Sequence, residues 1–183
     1  MKNGVTGYFD VTGTNGMTVR VHYAETYDDK TAIRNVEITK LQVHSENYQT
    51  VYYLHGSVSI DGVVAFTMDK AAGGHSVYTS RGTYTDVTGT LGSVSDIVSN
   101  VDGSKSITIN VDVSGYTGSG SGSGNGWTAN GAQIIELTSI NTGCVYLDNG
   151  SGFDAYQVYI DNGSGLDLHI PYIDNGSGWD LCS

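Results

Sequence analysis

The sequence predicts an all-β protein that folds as an antiparallel sandwich of two sheets. Gly accounts for 26 of the 183 residues and Tyr for 13, with a single Pro, and this mixture favours strands and tight turns over helices. Short stretches with an apolar residue at every second position recur along the first 114 residues, separated by turn signals. About seven such strands, without helical periodicity over any long window, are typical of a two-layer β fold.

The first predicted strand is MTVRVHY, in which apolar and polar residues alternate from Met17 to Tyr23. A period of two indicates a strand with one buried face and one solvated face, and the solvated face carries Thr18, Arg20 and His22.

The second predicted strand, NVEITKLQVH, changes phase along its length. Val36 and Ile38 share one face, whereas Leu41 and Val43 follow one position out of step. A slip of one residue turns side chains to the opposite face of a strand, so both pairs can be buried only if an extra residue is accommodated. The pattern therefore predicts a β-bulge between Ile38 and Leu41.

The stretch GSVSIDGVVAFTM predicts a hairpin, because Asp61-Gly62 suits a type I′ turn with positive φ at both positions. We expect Val58 to pair with Ala65 and Ile60 with Val63. Shorter strands are predicted around HSVYTS and SVSDIV. A turn at Asp102-Gly103 should precede a strong strand whose buried face consists of Ile107, Ile109, Val111 and Val113.

Composition divides the chain into four segments. Residues 1–114 are predicted to form an immunoglobulin-like β-sandwich, without the Cys pair and core Trp of antibody domains. Residues 115–131 are rich in Gly and Ser and predict a linker or long loop. Residues 132–144 should form a strand that completes the sandwich or leads into the last segment. Residues 145–183 contain three repeats of 13 residues.

Each repeat is predicted to be one small β-hairpin. VYLDNGSGFDAYQ, VYIDNGSGLDLHI and PYIDNGSGWDLCS each place an Asn-Gly pair between two short apolar runs, which is a strong hairpin signal. A single hairpin of this length is marginal in water, so we expect the three to stack on one another or on copies from other chains. A homo-oligomer is therefore expected.

The charge distribution excludes nucleic acid as a partner. The first 105 residues hold all 8 Lys and Arg together with 11 of the 19 acids, which leaves 8 acids and no Lys or Arg afterwards. Phosphate binding requires cations, so this acidic segment should be repelled by nucleic acid and by anionic lipid. The sequence has no apolar run of 18 residues and no signal peptide, and membrane insertion or conventional export is not expected.

Catalytic and metal-binding patterns are weak in this sequence. The five His residues have no spacing that suggests a nucleophile–base pair or a metal site, and they are interpreted mostly as surface residues. We therefore predict no enzymatic activity, no catalytic residue and no cofactor. No metal site is assigned, although the Asp-rich turns leave calcium open. Disulfide formation between Cys144 and Cys182 is also left open.

Aromatic and acidic side chains in the repeats are the candidate binding residues. Aromatic rings beside hydrogen-bonding oxygens suit sugar rings or a protein partner, although the same rings also suit hairpin cores. The candidates for contact with a glycan or a protein are Tyr146, Tyr159, Tyr172, Phe153, Trp179, Asp148, Asp161 and Asp174.

Two sequence stretches carry a family resemblance. The unit PYIDNGSGWDL resembles the repeats that close many tail-associated and minor structural proteins of phages infecting Firmicutes. NVDGSKSITINVDV, taken with VEITKLQVHSENY and GSVSIDG, is similar to immunoglobulin-like domains of siphovirus structural proteins. Together these matches cover most of the chain, and no catalytic residue is carried over from either group.

The resemblance implies a virion component on the tail or an appendage, assembled in the host cytoplasm with other virion proteins. Its expected role is contact with the host surface, with a host cell-wall glycan as the expected ligand. The alternative is a purely structural role, in which the repeats mediate oligomerisation or decoration of the virion.

Overall fold

The structure is a computed structural model that describes thirteen stretches of the chain. They are residues 1–46, 49–68, 77–79, 82–87, 89–100, 103–118, 125–140, 145–148, 153–156, 158–161, 166–169, 172–174 and 179–181. Within them the protein is all-β with antiparallel pairing and contains no helix. The predicted fold class is confirmed at this level.

The described residues before position 137 form eleven strands. They are β1 (Lys2–Thr12), β2 (Met17–Asp28), β3 (Ile33–Ser45), β4 (Gln49–Ile60), β5 (Val63–Met68), β6 (Val77–Thr79), β7 (Tyr84–Asp86), β8 (Thr90–Leu91), β9 (Ser93–Val98), β10 (Ser106–Gly118) and β11 (Asn125–Glu136). The first sheet has the order β1-β2-β3-β7, and β9 also pairs with β3. The second sheet has the order β11-β10-β4-β5-β8, and β6 also pairs with β4.

Alternating apolar residues from both sheets meet in one core, as a β-sandwich requires. The first sheet contributes Met17, Val19 and Val21 of β2, which are fully buried. The second sheet contributes the row predicted on β10, from Ile107 to Val113, all of it buried. Phe66 of β5 and Trp127 of β11 are the largest aromatic side chains in this core.

The predicted bulge in β3 is confirmed. His22 of β2 faces Lys40, whereas Tyr23 faces Ile38, so Thr39 is the additional residue on β3. The bulge restores the phase, and the apolar residues on both sides of it are buried.

The hairpin at Asp61-Gly62 is confirmed, but its register is partly different from the prediction. Both turn residues have positive φ, 48° and 83°, as a type I′ turn requires. Ile60 pairs with Val63 as expected, whereas Val58 pairs with Phe66 and not with Ala65. A second bulge lies between these pairs, and it buries both Ala65 and Phe66.

The prediction of a linker or loop over residues 115–131 is wrong for most of that stretch. β10 continues to Gly118 and β11 begins at Asn125, and the two strands pair without interruption from Ser106↔Glu136 to Thr117↔Asn125. In this part of β11 the side chains of Trp127 and Ala129 face inward and are buried, while Gly126, Thr128 and Asn130 between and beside them are exposed. Alternation therefore outweighs the Gly and Ser content, while residues 119–124 lie outside the described residues.

The immunoglobulin-like type is not confirmed. In that fold one sheet has the strand order ABED, in which chain neighbours are separated after the second strand. Here β1, β2 and β3 form a meander in which chain neighbours are sheet neighbours. The immunoglobulin label stays a prediction, while the two-sheet β architecture stands.

A buried ion pair fastens one end of the sandwich. Glu25 on β2 and Arg34 on β3 are both fully buried, with Arg34 Nε 3.0 Å from Glu25 Oε1. The guanidinium also donates to Ser99 Oγ, to the Gly103 carbonyl at 2.9 Å and to the Thr138 carbonyl at 2.5 Å.

The second carboxylate oxygen of Glu25 connects β1 with the segment that follows β11. It accepts hydrogen bonds from Val5 N at 3.0 Å, Thr138 N at 3.0 Å and Thr138 Oγ1 at 2.7 Å. Since a buried charge is tolerated only when it is paired and hydrogen-bonded, this network explains how both charged groups fit inside. We call Glu25, Arg34 and their partners Val5, Ser99, Gly103 and Thr138 the buried latch.

Six short strands are formed by the described residues of the C-terminal segment. They are β12 (Val145–Asp148), β13 (Phe153–Tyr156), β14 (Val158–Asp161), β15 (Leu166–His169), β16 (Tyr172–Asp174) and β17 (Trp179–Leu181). Each consecutive pair forms its own two-stranded antiparallel sheet. The Asn-Gly turns predicted between them lie outside the described residues, and stacking of the three repeats stays a prediction.

Candidate functional site

The candidate site is the outer surface of the first sheet, where polar and aromatic side chains form three cross-strand rows. Register places Tyr8, His22 and Lys40 in one row. The next row is Asp10, Arg20, Gln42 and Asp86, and the third is Thr12, Thr18, His44 and Tyr84. We call these eleven residues the polar face.

Period-two alternation explains why these residues share a surface. On β2 the residues between the buried Met17, Val19 and Val21 must point outward. On β1 the even-numbered residues from Thr6 to Thr12 are exposed and the odd-numbered ones turn inward. Tyr84 reaches the same surface because β7 pairs with β3 beyond the bulge.

Arg20 is the centre of the polar face. Its guanidinium carbon lies 4.1 Å from the centroid of the Tyr8 ring and 3.7 Å from that of Tyr84, so it is clamped between two aromatic planes. Its Nε and Nη2 donate to the two oxygens of Asp10 at 2.7 and 2.8 Å. This bidentate geometry fixes the plane of the guanidinium.

Asp10 has a second donor in Tyr84, whose hydroxyl lies 2.8 Å from Oδ2. The hydrogen bonds from Arg20 lower the pKa of Asp10, and the bond from Tyr84 acts in the same direction. Burial raises the pKa of Tyr84, and the hydrogen bond to Asp10 adds to this. Asp10 is consequently ionised and Tyr84 neutral at pH 7.

Two histidines extend the cluster at its ends. The ring of His44 stacks on Tyr84 at 4.7 Å between centroids and an interplanar angle of 30°, and His22 lies 5.4 Å from Tyr8. His22 Nε2 is 2.8 Å from Gln42 Oε1, and Gln42 donates to Asp86 at 2.7 Å. The result is a continuous arrangement of rings and hydrogen bonds across four strands.

His44 is an exception to the interpretation of the histidines as mostly surface residues. It is 9% exposed, and its Nδ1 finds no hydrogen-bond partner within the described part of the chain. His22 is half-buried and His55 is exposed, whereas the side chains of His75 and His169 lie outside the description.

The polar face is electrically balanced, unlike the chain as a whole. Its formal charges are those of Asp10, Arg20, Lys40 and Asp86, which sum to zero, whereas the whole chain carries −11. A neutral surface with exposed aromatic rings and polar hydrogen-bonding groups is chemically suited to contact an uncharged polar partner. Tyr8, which is 57% exposed, is the most accessible aromatic ring of the polar face.

The residues predicted as the site occupy the short C-terminal strands. Tyr146 and Asp148 are on β12, Phe153 on β13, Tyr159 and Asp161 on β14, Tyr172 and Asp174 on β16, and Trp179 on β17. The backbone register places Asp148 opposite Phe153 and Asp174 opposite Trp179. Their role in binding stays a prediction, and Cys144 and Cys182 lie outside the described residues.

The described stretches provide no metal site and no membrane-spanning helix. They contain no group of three or more His, Cys, Asp or Glu side chains that could hold a metal ion. They also contain no helix that is long and apolar enough to cross a membrane.

Comparison with known proteins yields no relative. No family model, no curated protein and no solved structure matches this chain.

Proposed function

We propose that this protein is a non-enzymatic binding protein of a bacteriophage virion, placed on the tail or an appendage, that contacts a host-surface glycan. The virion assignment is supported by the resemblance of the C-terminal repeats and of the sandwich stretches to phage structural proteins. The binding role is supported by the polar face, and above all by the clamp of Arg20 between Tyr8 and Tyr84.

Pre-organisation is the physical reason for this choice of surface. A side chain that is already fixed loses little conformational entropy when a ligand arrives, so more of the contact energy appears as affinity. Arg20 and Tyr84 are fixed by Asp10, while the exposed Tyr8 offers an aromatic surface for the C–H groups of a sugar ring. Gln42, Lys40 and Asp86 supply polar groups beside it for hydroxyls.

Glycan binding is tested with an array that includes bacterial cell-wall glycans, probed with the full chain and with Tyr8→Ala. We expect binding to a subset of uncharged glycans and a loss of at least tenfold in affinity for Tyr8→Ala. A matched control is Tyr27→Ala, because Tyr27 is a half-buried tyrosine of β2 that lies outside the polar face. Equal binding by all three proteins would remove the polar face from the proposal.

The second candidate function is structural, with the repeats acting as an assembly element that packs around a symmetry axis or stacks axially. Its support is the small size of each strand pair, since an isolated two-stranded sheet needs further packing in water. We include in this proposal that the three pairs stack into one array and that the sandwich is immunoglobulin-like.

Light scattering on the full chain and on a version that stops at Ile140 separates the two candidates. Ile140 is buried and its N–H donates to the Gly103 carbonyl at 3.0 Å, so the shorter chain keeps these sandwich contacts. An oligomeric full chain with a monomeric truncation would favour the structural function. Monomers in both cases would favour a free-standing binding surface.

A further inference from the structure

β11 forms one edge of the second sheet. It pairs with β10 along its whole length, from Asn125 to Glu136, and no other strand pairs with it within the part of the chain that the structure describes. An edge strand directs the N–H and C=O of every second residue away from its neighbour, where they can pair with a further strand. The edge of β11 is therefore a surface that another strand could extend.

Hydrogen bonds show which residues of β11 direct their backbone groups outward. Thr128 N donates to Thr14 Oγ1, and the Thr128 carbonyl accepts from Thr14 N, in the turn beside this edge. On β10, Thr108 N donates to Asp61 Oδ1 and the Thr108 carbonyl accepts from Asp61 N, so both groups point away from β11. Ile134, which is opposite Thr108, then directs its own groups outward. Because the β10–β11 register is uninterrupted, the even-numbered residues of β11 share this direction.

Both ends of this edge are covered, and the middle is open. At the beginning, Asn15 Nδ2 of the β1–β2 turn donates to the Gly126 carbonyl at 2.6 Å. Beyond the end, the outward N–H of Thr138 donates to Glu25 Oε2 of the buried latch at 3.0 Å. Between them lie residues 130–136, which we call the open edge. Its even-numbered residues are all exposed.

The other edge strands of the described chain have features that hinder strand addition, and the open edge has none of them. β6, β7 and β8 have three residues or fewer. β9 contains Asp96 with a positive φ of 59°, and β1 has an irregular register and carries Lys2 and Asp10. Short edges, bulges and charges prevent unwanted pairing. β11 is twelve residues long and has no charged side chain before Glu136, so its edge is available for pairing.

The open edge is complementary to itself when a second copy pairs antiparallel about a two-fold axis at Gln133. In this register Ala132 faces Ile134 of the second copy, so the outward backbone groups of both residues meet. Ile134, which is 62% exposed, gains a contact with a small apolar residue. Asn130 faces Glu136 of the second copy, so each acid lies opposite an uncharged residue. Like charges directly opposite one another would be destabilising, and this register avoids them.

Gln133 supports the position of the axis. It shares the core-facing side of β11 with the buried Ala129 and Ile135, yet Gln133 itself is exposed and polar. Its Nε2 lies 3.1 Å from the Ile134 carbonyl oxygen of its own chain. An axis at this position brings Gln133 opposite its own copy, where two amide groups can donate to and accept from each other. A polar residue at a core-facing position is thereby explained.

Charge favours a second copy at this edge and not elsewhere on the sandwich. The chain carries a net charge of −11, so two copies repel each other over most approaches. The open edge contains a single charged residue, Glu136, at its end. Two copies can therefore approach most closely there.

We propose that two copies of this chain associate through the open edge, which joins their second sheets into one continuous antiparallel sheet. The inference goes beyond the proposed function, because it assigns an interface to the sandwich and not to the repeats. The two-fold axis between antiparallel strands is perpendicular to the sheet, so the polar faces of both copies point to the same side. Bivalent contact with a glycan follows, and this consequence alone rests on the proposed function.

Disulfide cross-linking of the full chain, with Cys144 and Cys182 replaced by Ser, tests the interface. Gln133→Cys places a thiol opposite its own copy in a pair without hydrogen bonds, where Cα atoms are about 4.5 Å apart and a disulfide can form. Asn130→Cys is the matched control, because it is exposed on the same edge but lies far from its own copy in this register. With oxidised glutathione, we expect a covalent dimer for Gln133→Cys and at least tenfold less for Asn130→Cys on non-reducing electrophoresis.

A charge at the interface gives a second measurement. Adding Ile134→Lys to Gln133→Cys should slow cross-linking at least tenfold, because the two lysines repel each other beside the axis. Val64→Lys is its control, since Val64 is 55% exposed on β5 of the same sheet, away from β11, and should leave the rate unchanged.

Light scattering adds the natural sequence to this test. The paired stretch is short, so we expect a weak dimer that forms between micromolar and millimolar concentration. It should form both in the full chain and in the version that stops at Ile140, and Ile134→Lys should abolish it in the shorter version. Dimers of the shorter version are predicted by neither candidate function.

The outcomes separate this inference from the proposed function. Absence of a covalent dimer for Gln133→Cys would overturn the interface, and this is the result expected if a repeat of the same chain occupies the edge. Equal amounts of dimer for Gln133→Cys and Asn130→Cys, or equal slowing by Ile134→Lys and Val64→Lys, would also overturn it. Glycan binding on the array without cross-linking would leave the proposed function intact. Cross-linking without glycan binding would keep the interface and remove the bivalent contact.

Discussion

Two arginine–carboxylate pairs in this protein have the same chemistry and opposite surroundings. Arg34 and Glu25 are wholly buried and form hydrogen bonds with four further residues of the sandwich. The side chains of Arg20 and Asp10 are 20% and 34% exposed, and their partners are the rings and hydroxyl of surface tyrosines. The comparison teaches that burial determines whether such a pair fixes the architecture or shapes a surface.

Energetics explains this division. Breaking a buried pair leaves an uncompensated charge in a medium of low polarity, at a cost of about 3–5 kcal/mol. An exposed pair contributes only about 0.2–1 kcal/mol, because water and salt screen it. The buried latch should therefore dominate stability, and the polar face should dominate contacts with other molecules.

The largest effect is expected for Glu25→Ala. It leaves the Arg34 guanidinium without its counter-charge and removes the acceptor of Val5 N and Thr138 N. We expect the free energy of unfolding to fall by about 3–5 kcal/mol, measured by urea denaturation. Asp10→Ala is the matched exposed control and should cost about 1 kcal/mol or less. Equal costs for the two variants would contradict the comparison.

Gly103→Ala probes the latch from its backbone side. The Gly103 carbonyl accepts from Arg34, its φ is +79°, and an added Cβ would lie 1.7 Å from the Ile140 carbonyl oxygen. We expect a loss of about 2 kcal/mol or more, from a strained backbone and a steric clash.

The control for this substitution is Gly62→Ala. Gly62 has a similar φ of +83° but nothing within 4 Å of an added Cβ. It should cost about 1 kcal/mol, from the left-handed backbone alone. Thermal and urea unfolding of both variants separates strain from clash, and a cost for Gly62→Ala as large as that for Gly103→Ala would contradict this assignment.

A smaller effect is expected for the pH dependence of stability that arises from the exposed pair of Asp10 and Arg20. Arg20 lowers the pKa of Asp10 in the folded state, so the stability that Asp10 provides is present above its unfolded pKa, about 3.9. It is lost as pH falls through the lower, folded pKa. Between pH 5 and pH 2 the wild type should therefore lose more stability than Asp10→Asn, by less than about 1 kcal/mol given its exposure. Parallel urea-stability curves against pH for the two proteins would show that the pair contributes nothing.

The smallest effect on stability is expected for Tyr8→Ala. The ring is exposed and its main contact is the cation–π interaction with Arg20, so the loss should be about 0.5 kcal/mol. Tyr8→Phe keeps the ring over the guanidinium and should be neutral. Differential scanning calorimetry of the two Tyr8 variants and of Asp10→Ala measures these losses. A loss of stability for Tyr8→Ala above that for Asp10→Ala would show that Tyr8 stabilises the fold and does not only shape the surface.

Much of the sandwich could be predicted because alternation is strong where strands are buried on one side. The phase slip predicted a bulge between Ile38 and Leu41, which the structure places at Thr39, and Asp61-Gly62 predicted the turn. β1 was missed because Gly4 and Gly7 obscure its pattern, although Val5, Phe9 and Val11 do alternate inward. The first half of β11 was missed because it directly follows a Gly- and Ser-rich stretch and itself contains Gly126 and Gly131, so that the whole region resembles a linker.

The polar face was not predictable from local pattern. The solvated face of β2, with Arg20 and His22, followed from the sequence, but its clamp needs Tyr8 from β1 and Tyr84 from β7. Tyr84 reaches Arg20 only because β7 pairs with β3, and no local signal encodes that pairing. The buried latch was missed for the same reason, since its members lie as far apart in sequence as Val5 and Thr138.

The way the chain leaves the sandwich has a consequence for how this protein can change over generations. After β11, Leu137 N donates to the Lys105 carbonyl, Thr138 joins the latch and Ile140 N donates to the Gly103 carbonyl. All of these hydrogen bonds are made by residues that precede Val145, where the first repeat begins. A different C-terminal sequence attached after Ile140 would follow a sandwich whose last hydrogen bonds are already formed. Duplication or exchange of the repeats can therefore change the C-terminal segment without changing the core of the sandwich.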